Sequence, residues 1–202
     1  MTYAGDLACL YLHGFLSSPQ SEKARELQEF YAANLTSEQL AIPELPFEPN
    51  AAIQLAQDQL RQLQETFPRV FVMGSSLGGF YATWLSQTFN LPAVLINPAV
   101  NPHGLFRHYL GPNTHYYTGQ VHQLKEEHLL QLSGLACQTV RHPGNILLLQ
   151  QTGDETLDYR HAASLYQECS SWFEQGGSHR FDHFEKRLPM MLRFAERWSP
   201  AN

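Results

Sequence analysis

Val70-Phe71-Val72-Met73-Gly74-Ser75-Ser76-Leu77-Gly78-Gly79 is an apolar run that ends in Gly-x-Ser-x-Gly, and its reading governs the rest of the chain. A run of this kind closing on such a turn mounts a serine between a strand and a helix, with strained backbone at the serine and crowding on either side of it. Gly74 and Gly78 leave out the side chains that would clash at the crowded positions. Ser76 is therefore the candidate nucleophile, and its placement points to acyl-transfer chemistry.

Outward from this stretch, apolar runs recur at Leu7–Leu12, Gln39–Ile42, Arg69–Met73, Ala93–Ile96, Ile146–Leu149 and Cys169–Phe173, with helical patterns between them. The alternation predicts an α/β fold whose sheet of about six strands is mostly parallel. Several runs are apolar at consecutive positions, which predicts strands covered by helices on both faces. Ala24, Leu27 and Tyr31 mark a helix over Ser21–Asn34, with Ser18-Pro19 as its start signal. Ile53, Ala56, Leu60, Leu63 and Phe67 mark a second one, which Pro68 stops.

Between Asn101 and Pro143 lie roughly forty residues, far more than an ordinary connection between neighbouring strands. The segment is expected to form a cap or lid insertion over a Ser76-centred site, at about 101–143, with a helix near Glu126–Leu132. Phe106, Tyr109 and Tyr116 are expected to roof a shallow pocket there.

Composition bounds the function. A chain of 202 residues, 43% apolar, suits a single domain. A net charge of -6 with 13 Lys plus Arg argues against a nucleic-acid partner. The start lacks a basic, then apolar leader, and no apolar stretch reaches the roughly eighteen residues of a membrane span, so a cytoplasmic location is expected. Cys9, Cys137 and Cys169 form neither a disulfide framework nor a Cys-x-x-Cys pair and are expected to be reduced. With no glycine-rich phosphate loop after a strand and no metal-ligand spacing, neither a cofactor nor a metal is expected. Nothing in the sequence sets an oligomeric state.

A serine hydroxyl needs a histidine to take its proton, and that imidazole needs a carboxylate to fix its tautomer. Asp154 stands just past the end of Ile146-Leu147-Leu148-Leu149-Gln150-Gln151-Thr152-Gly153, where the acid belongs. Asp158 and Glu155 compete with it, although Asp158 is well placed to cap the following helix. His179 follows a final strand and Gly176-Gly177, the position of the base, with His183 as its rival. For the developing oxyanion, the backbone N–H of Leu77 opens the helix after Ser76, and Gly14 in Leu12-His13-Gly14-Phe15-Leu16 lets the N–H of Phe15 aim at the same point. His13 is expected to stabilise that loop, and the other histidines are read as solvent-facing or pocket-lining.

With Leu12-His13-Gly14-Phe15-Leu16-Ser17-Ser18-Pro19, Gly74 to Thr83, Ile96-Asn97-Pro98-Ala99-Val100, Leu157-Asp158-Tyr159-Arg160 and Gly176-Gly177-Ser178-His179 assembled, the chain resembles the YqiA-like small esterases of the α/β-hydrolase superfamily. The resemblance implies the three-layer α/β-hydrolase fold and a cytoplasmic bacterial esterase or thioesterase acting on a small acyl ester or thioester, with Ser76, Asp154 and His179 on the triad positions. Transfer of the acyl group to an acceptor other than water, and a non-catalytic binding module of the same fold, are the rival readings.

Overall fold

The computed structural model describes residues 3–198. Strand β1 (Leu7–Leu12) leads through helix α1 (Glu22–Asn34) to the two-residue strand β2 (Leu40–Ala41), followed by α2 (Pro49–Thr66), β3 (Arg69–Ser75), α3 (Leu77–Phe89) and β4 (Ala93–Ile96). A short helix α4 (Pro102–Phe106), a hairpin of β5 (Gly111–Thr114) and β6 (Val121–Leu124), and α5 (Glu126–Leu135) occupy the long connection. The chain then forms β7 (Ile146–Gln151), α6 (Tyr159–Leu165), β8 (Ser170–Glu174) and α7 (Leu188–Arg197).

The main sheet has six strands in the order β2-β1-β3-β4-β7-β8, and every neighbouring pair is parallel. Alternate residues of each strand point to opposite faces, so the core divides in two. Leu10, Leu12, Val72, Leu95 and Leu148 pack with residues of α2, α3 and α5 on one side. On the other, Cys9, Tyr11, Phe71, Met73, Ile96 and Leu149 pack against α1 and α7. Each large aliphatic side chain so buried contributes about 1.5–3 kcal/mol, which is why strands apolar at every position require two helical layers. The register pairs Leu12 with Gly74, Ser75 with Ile96, and Ile96 with Leu149, bringing the carboxyl ends of β1, β3, β4 and β7 to one edge. Open parallel sheets bind their ligands at that edge.

Three expectations are corrected in detail. The second strand is half its predicted length because the side chain of buried Gln39 donates to the carbonyls of Leu7 (2.8 Å) and Ala4 (3.2 Å) from a 3-10 turn over Ser37–Gln39. The last strand begins one residue late, since the Cys169 N–H still closes a turn on the Tyr166 carbonyl at 2.9 Å. Segment 101–143 holds the expected helix, but also α4 and an antiparallel hairpin pairing Gly111 with Leu124 and Thr114 with Val121. Gly111-Pro112-Asn113-Thr114 has the composition of a turn, yet all four residues pair with β6, and just beyond them the Tyr116 N–H donates to the Leu16 carbonyl at 3.2 Å. Among the described residues no helix is long and apolar enough to cross a membrane.

Candidate active site

Ser76 lies between β3 and α3 with φ 57° and ψ −122°, a conformation costing roughly 1–3 kcal/mol in a non-glycine residue. Its surroundings impose that backbone. The Ser76 N–H donates to the Ile96 carbonyl at 3.1 Å, and its own carbonyl accepts from Ala99 N–H at 3.0 Å, tying the turn to β4 and the loop beyond. A Cβ at Gly78 would run into the Leu12 carbonyl, and one at Gly74 into that of Gly78, so both positions have the close approach read from the sequence.

The structure brings the three predicted side chains together. His179 Nε2 stands 3.1 Å from Ser76 Oγ, and His179 Nδ1 lies 2.9 and 2.8 Å from the two carboxylate oxygens of Asp154. The Asp154 side chain is fully buried, and a buried carboxylate is tolerable only when it is well solvated by donors. Its Oδ1 also accepts from the N–H groups of Thr156 (2.9 Å) and Leu157 (2.8 Å). With an acceptor at Nδ1, the neutral imidazole carries its proton there and leaves Nε2 free to accept from the serine hydroxyl.

The rival residues have other partners. Asp158 caps α6 by accepting from the Arg160 N–H, and the Arg160 guanidinium holds its carboxyl down at about 2. Glu155 Oε2 accepts from the His179 N–H at 2.9 Å, which lowers that carboxyl too and fixes the His179 backbone. His183 is exposed, with Lys186 Nζ 3.5 Å from its Nδ1.

Two residues that sequence reasoning passed over secure the loop bearing His179. Asn97 directs its amide nitrogen at the carbonyls of Ser178 (2.9 Å) and His179 (3.3 Å), while its oxygen accepts from Gln151 N–H (2.9 Å) and Gln150 Nε2 (3.0 Å). Gln151 Oε1 accepts from the N–H groups of Ser178 (3.1 Å) and Asp182 (2.8 Å), and its Nε2 donates to Glu174 (2.7 Å) and the Asp182 carbonyl (3.0 Å). Gly177, at φ +77°, leaves the room this amide fills. The available signal was a polar amide directly after each apolar run, Asn97 after β4 and Gln151 at the end of β7.

Beside Ser76 the loop after β1 comes so close that a Cβ on Gly14 would sit 3.3 Å from Ser76 Cβ. The N–H groups of Phe15 and Leu77 have no acceptor among the described residues. Buried His13 anchors the loop: Leu45 N–H donates to its Nε2 at 3.2 Å and its Nδ1–H to the Gly14 carbonyl at 3.0 Å, and burial pulls its pKa below the usual 6.5. A cavity of about 330 Å³ adjoins, lined by Gly14, Phe15, Leu45, Phe47, Leu77 and Tyr81 together with His115 and His122. The expected aromatic roof is corrected here. Phe106 is buried against Phe15, with ring centroids 4.6 Å apart, while Tyr109 and Tyr116 are 46% and 76% exposed. His128 departs as well, being buried under Phe47 where its Nδ1 accepts from Lys125 N–H to cap α5. Neither the cavity of about 330 Å³ nor a larger one of about 870 Å³ between α4 and α6 is lined by Ser76, Asp154 or His179; the smaller one borders the Ser76 turn through Gly14, Phe15 and Leu77, which the larger does not touch.

The model of an uncharacterised protein family, UPF0227, matches residues 8–196. The chain belongs to that family. Among solved structures, this UPF0227 chain is similar to alpha/beta hydrolase domain-containing protein 10 from mouse, at 14% identity over 97% of this chain and 90% of that one, with a TM-score of 0.69. Est1E from Butyrivibrio proteoclasticus, solved with ferulic acid bound, matches at 14% identity, 93% and 86% coverage and a TM-score of 0.68. The esterase domain of a Rhodothermus marinus protein matches at 19% identity, 96% and 87% coverage and a TM-score of 0.63. At these identities the likeness speaks for the fold, and the UPF0227 chain has the α/β-hydrolase fold.

Proposed function

We propose that this chain is a serine hydrolase that cleaves short-chain carboxylic esters or thioesters through an acyl-Ser76 intermediate. The observation carrying this reading is the continuous hydrogen-bonded path from Ser76 Oγ through His179 to buried Asp154, beside two amides without acceptors. His179 Nε2 takes the Oγ proton as Oγ bonds to the substrate carbonyl carbon, and the imidazolium formed faces the Asp154 carboxylate. The carbonyl oxygen, now anionic, accepts from the N–H groups of Phe15 and Leu77, each such donor being worth about 2.7–4 kcal/mol in the transition state. Collapse breaks the bond to the leaving oxygen or sulfur, which departs with the proton from Nε2. Water, deprotonated by the same nitrogen, then releases the acid and restores the serine. The 330 Å³ cavity against Phe15 and Leu77 receives the acyl group, and residues 101–143 act as a cap on a single domain.

Ser76→Ala tests the reading. It should abolish burst release from a 4-nitrophenyl ester and labelling by a fluorophosphonate, lowering kcat by at least about 10⁴-fold in a protein of unchanged thermal midpoint. Retained turnover in the variant would refute it.

A further inference from the structure

Four buried tyrosines stand in the core, and three have a side-chain partner for the hydroxyl. Tyr166 bonds Thr83 at 2.8 Å, and a polar side chain lies beside each of two others, Ser75 by Tyr11 and Cys9 by Tyr31. Tyr81 has none among the described residues, although it is only 2% exposed. Its oxygen is not fully enclosed, and the residue lines the cavity. Tyr81 follows Leu77 by four residues on α3, which puts the two on one helix face, and both line the cavity beside the Ser76 turn. A buried hydroxyl without a partner is unfavourable, and a phenyl ring would fill the same space without it. Burial keeps this phenol protonated, so it is ready to donate.

We infer that the cavity selects a short acyl group bearing an uncharged oxygen, hydroxyl or keto, which accepts a hydrogen bond from Tyr81. The inference rests on the reading of Ser76 as the acyl-accepting residue and deepens it. The walls supplied by Phe15, Leu45 and Phe47 are apolar, and about 330 Å³ is at the small end for a ligand pocket, so the carbon skeleton is short or a single ring. No lysine or arginine lines the cavity, while Glu44 stands at its edge, which disfavours an acyl group ending in a carboxylate. His122, stacked on Phe47 at 4.6 Å and 10°, makes no hydrogen bond through its ring among the described residues and offers a second polar contact in the same space.

The experiment compares kcat/KM of the full chain for 4-nitrophenyl esters in matched pairs: butyrate against 3-hydroxybutyrate, and phenylacetate against 4-hydroxyphenylacetate, with the hemisuccinate as the charged member. At least one oxygenated ester should be favoured by tenfold or more over its partner, and the hemisuccinate disfavoured. Tyr81→Phe should bring that ratio to within twofold of one, with its thermal midpoint unchanged or raised, while Tyr116→Phe on the exposed hairpin keeps the ratio. Ratios near one in the natural chain, or a preference that survives Tyr81→Phe because only water meets the hydroxyl, would overturn the inference. If no ester turns over and no fluorophosphonate labels Ser76, the parent reading fails. Calorimetric binding of the matching methyl esters to Ser76→Ala then still returns the same ratio or its absence.

Discussion

Ser76 and His179 stand 3.1 Å apart, yet the segments carrying them are held in different proportions by backbone and by side chains. The serine turn is wedged by backbone: Leu12, Gly74 and Gly78 approach with no room for a side chain, and the turn's own N–H and carbonyl reach β4 and the loop after it. The histidine loop meets backbone at Gly176 and Gly177, which press on Gly153, but from Ser178 to Asp182 it is tied to the rest of the fold by side chains, the amides of Asn97 and Gln151 and the carboxylate of Glu155. The first arrangement resists any added atom. The second depends on groups of the right shape being present, and its hydrogen bonds can be removed one by one.

The largest effect should come from attacking the wedge. Gly78→Ala forces a methyl group into the Leu12 carbonyl, so a loss of about 4 kcal/mol or more is expected in urea unfolding, with no esterase activity in whatever folds. A soluble variant with unchanged kcat would show that the approach is relaxed in solution and would remove half of the contrast.

Attacking the suspension should be milder in stability and more selective in catalysis. Gln151→Leu leaves the N–H groups of Ser178 and Asp182 without their acceptor and should cost about 2–4 kcal/mol. It should also lower kcat by about 100-fold with KM changed much less, because the imidazole is misplaced while the cavity is intact. Asn97→Ala should act in the same direction, and the double variant should fall short of the product of the two, since both amides hold one loop. Additive losses would mean that the amides act separately.

The smallest effect belongs to the loop after β1 and reads out with pH. The His13 ring accepts from Leu45 N–H, so it must be neutral when folded, and burial lowers its pKa. The unfolded ring takes up its proton near 6.5 whereas the folded one resists, so this contribution to stability is complete above that pH. It declines as pH falls further, by at most about 1.4 kcal/mol per pH unit, until the folded ring itself titrates. His13→Gln should flatten the slope of unfolding free energy between pH 6.5 and 5 relative to the natural chain. An equal slope in both would place the acid sensitivity elsewhere.

The same contrast explains what could be read from the sequence. Gly74, Ser76 and Gly78 constrain one another within four residues, and the runs that became β1, β3, β4 and β7 are apolar enough to announce a sheet covered on both faces. Asp154 and His179 followed from their positions after the later strands. Asn97 and Gln151 did not, because their partners outside β7 lie between 23 and 82 residues away and an isolated amide after a strand has no unique reading. The hairpin of β5 and β6 was hidden for a related reason: the composition of β5 is that of a turn, and its extended form shows only in its pairing with β6. The cavity's rings were misassigned because exposure, not aromatic character, separates Tyr109 and Tyr116 from Phe15 and Phe47.

The position of β8 at the rim of the sheet has a consequence for synthesis. Ribosomes deliver Ser76 some 103 residues before His179, which at about 5–20 residues per second is an interval of roughly 5–20 s. On the proposed reading, the emerging polypeptide holds throughout it an alcohol with nothing to deprotonate it, and reactivity would switch on only when the outermost ribbon docks.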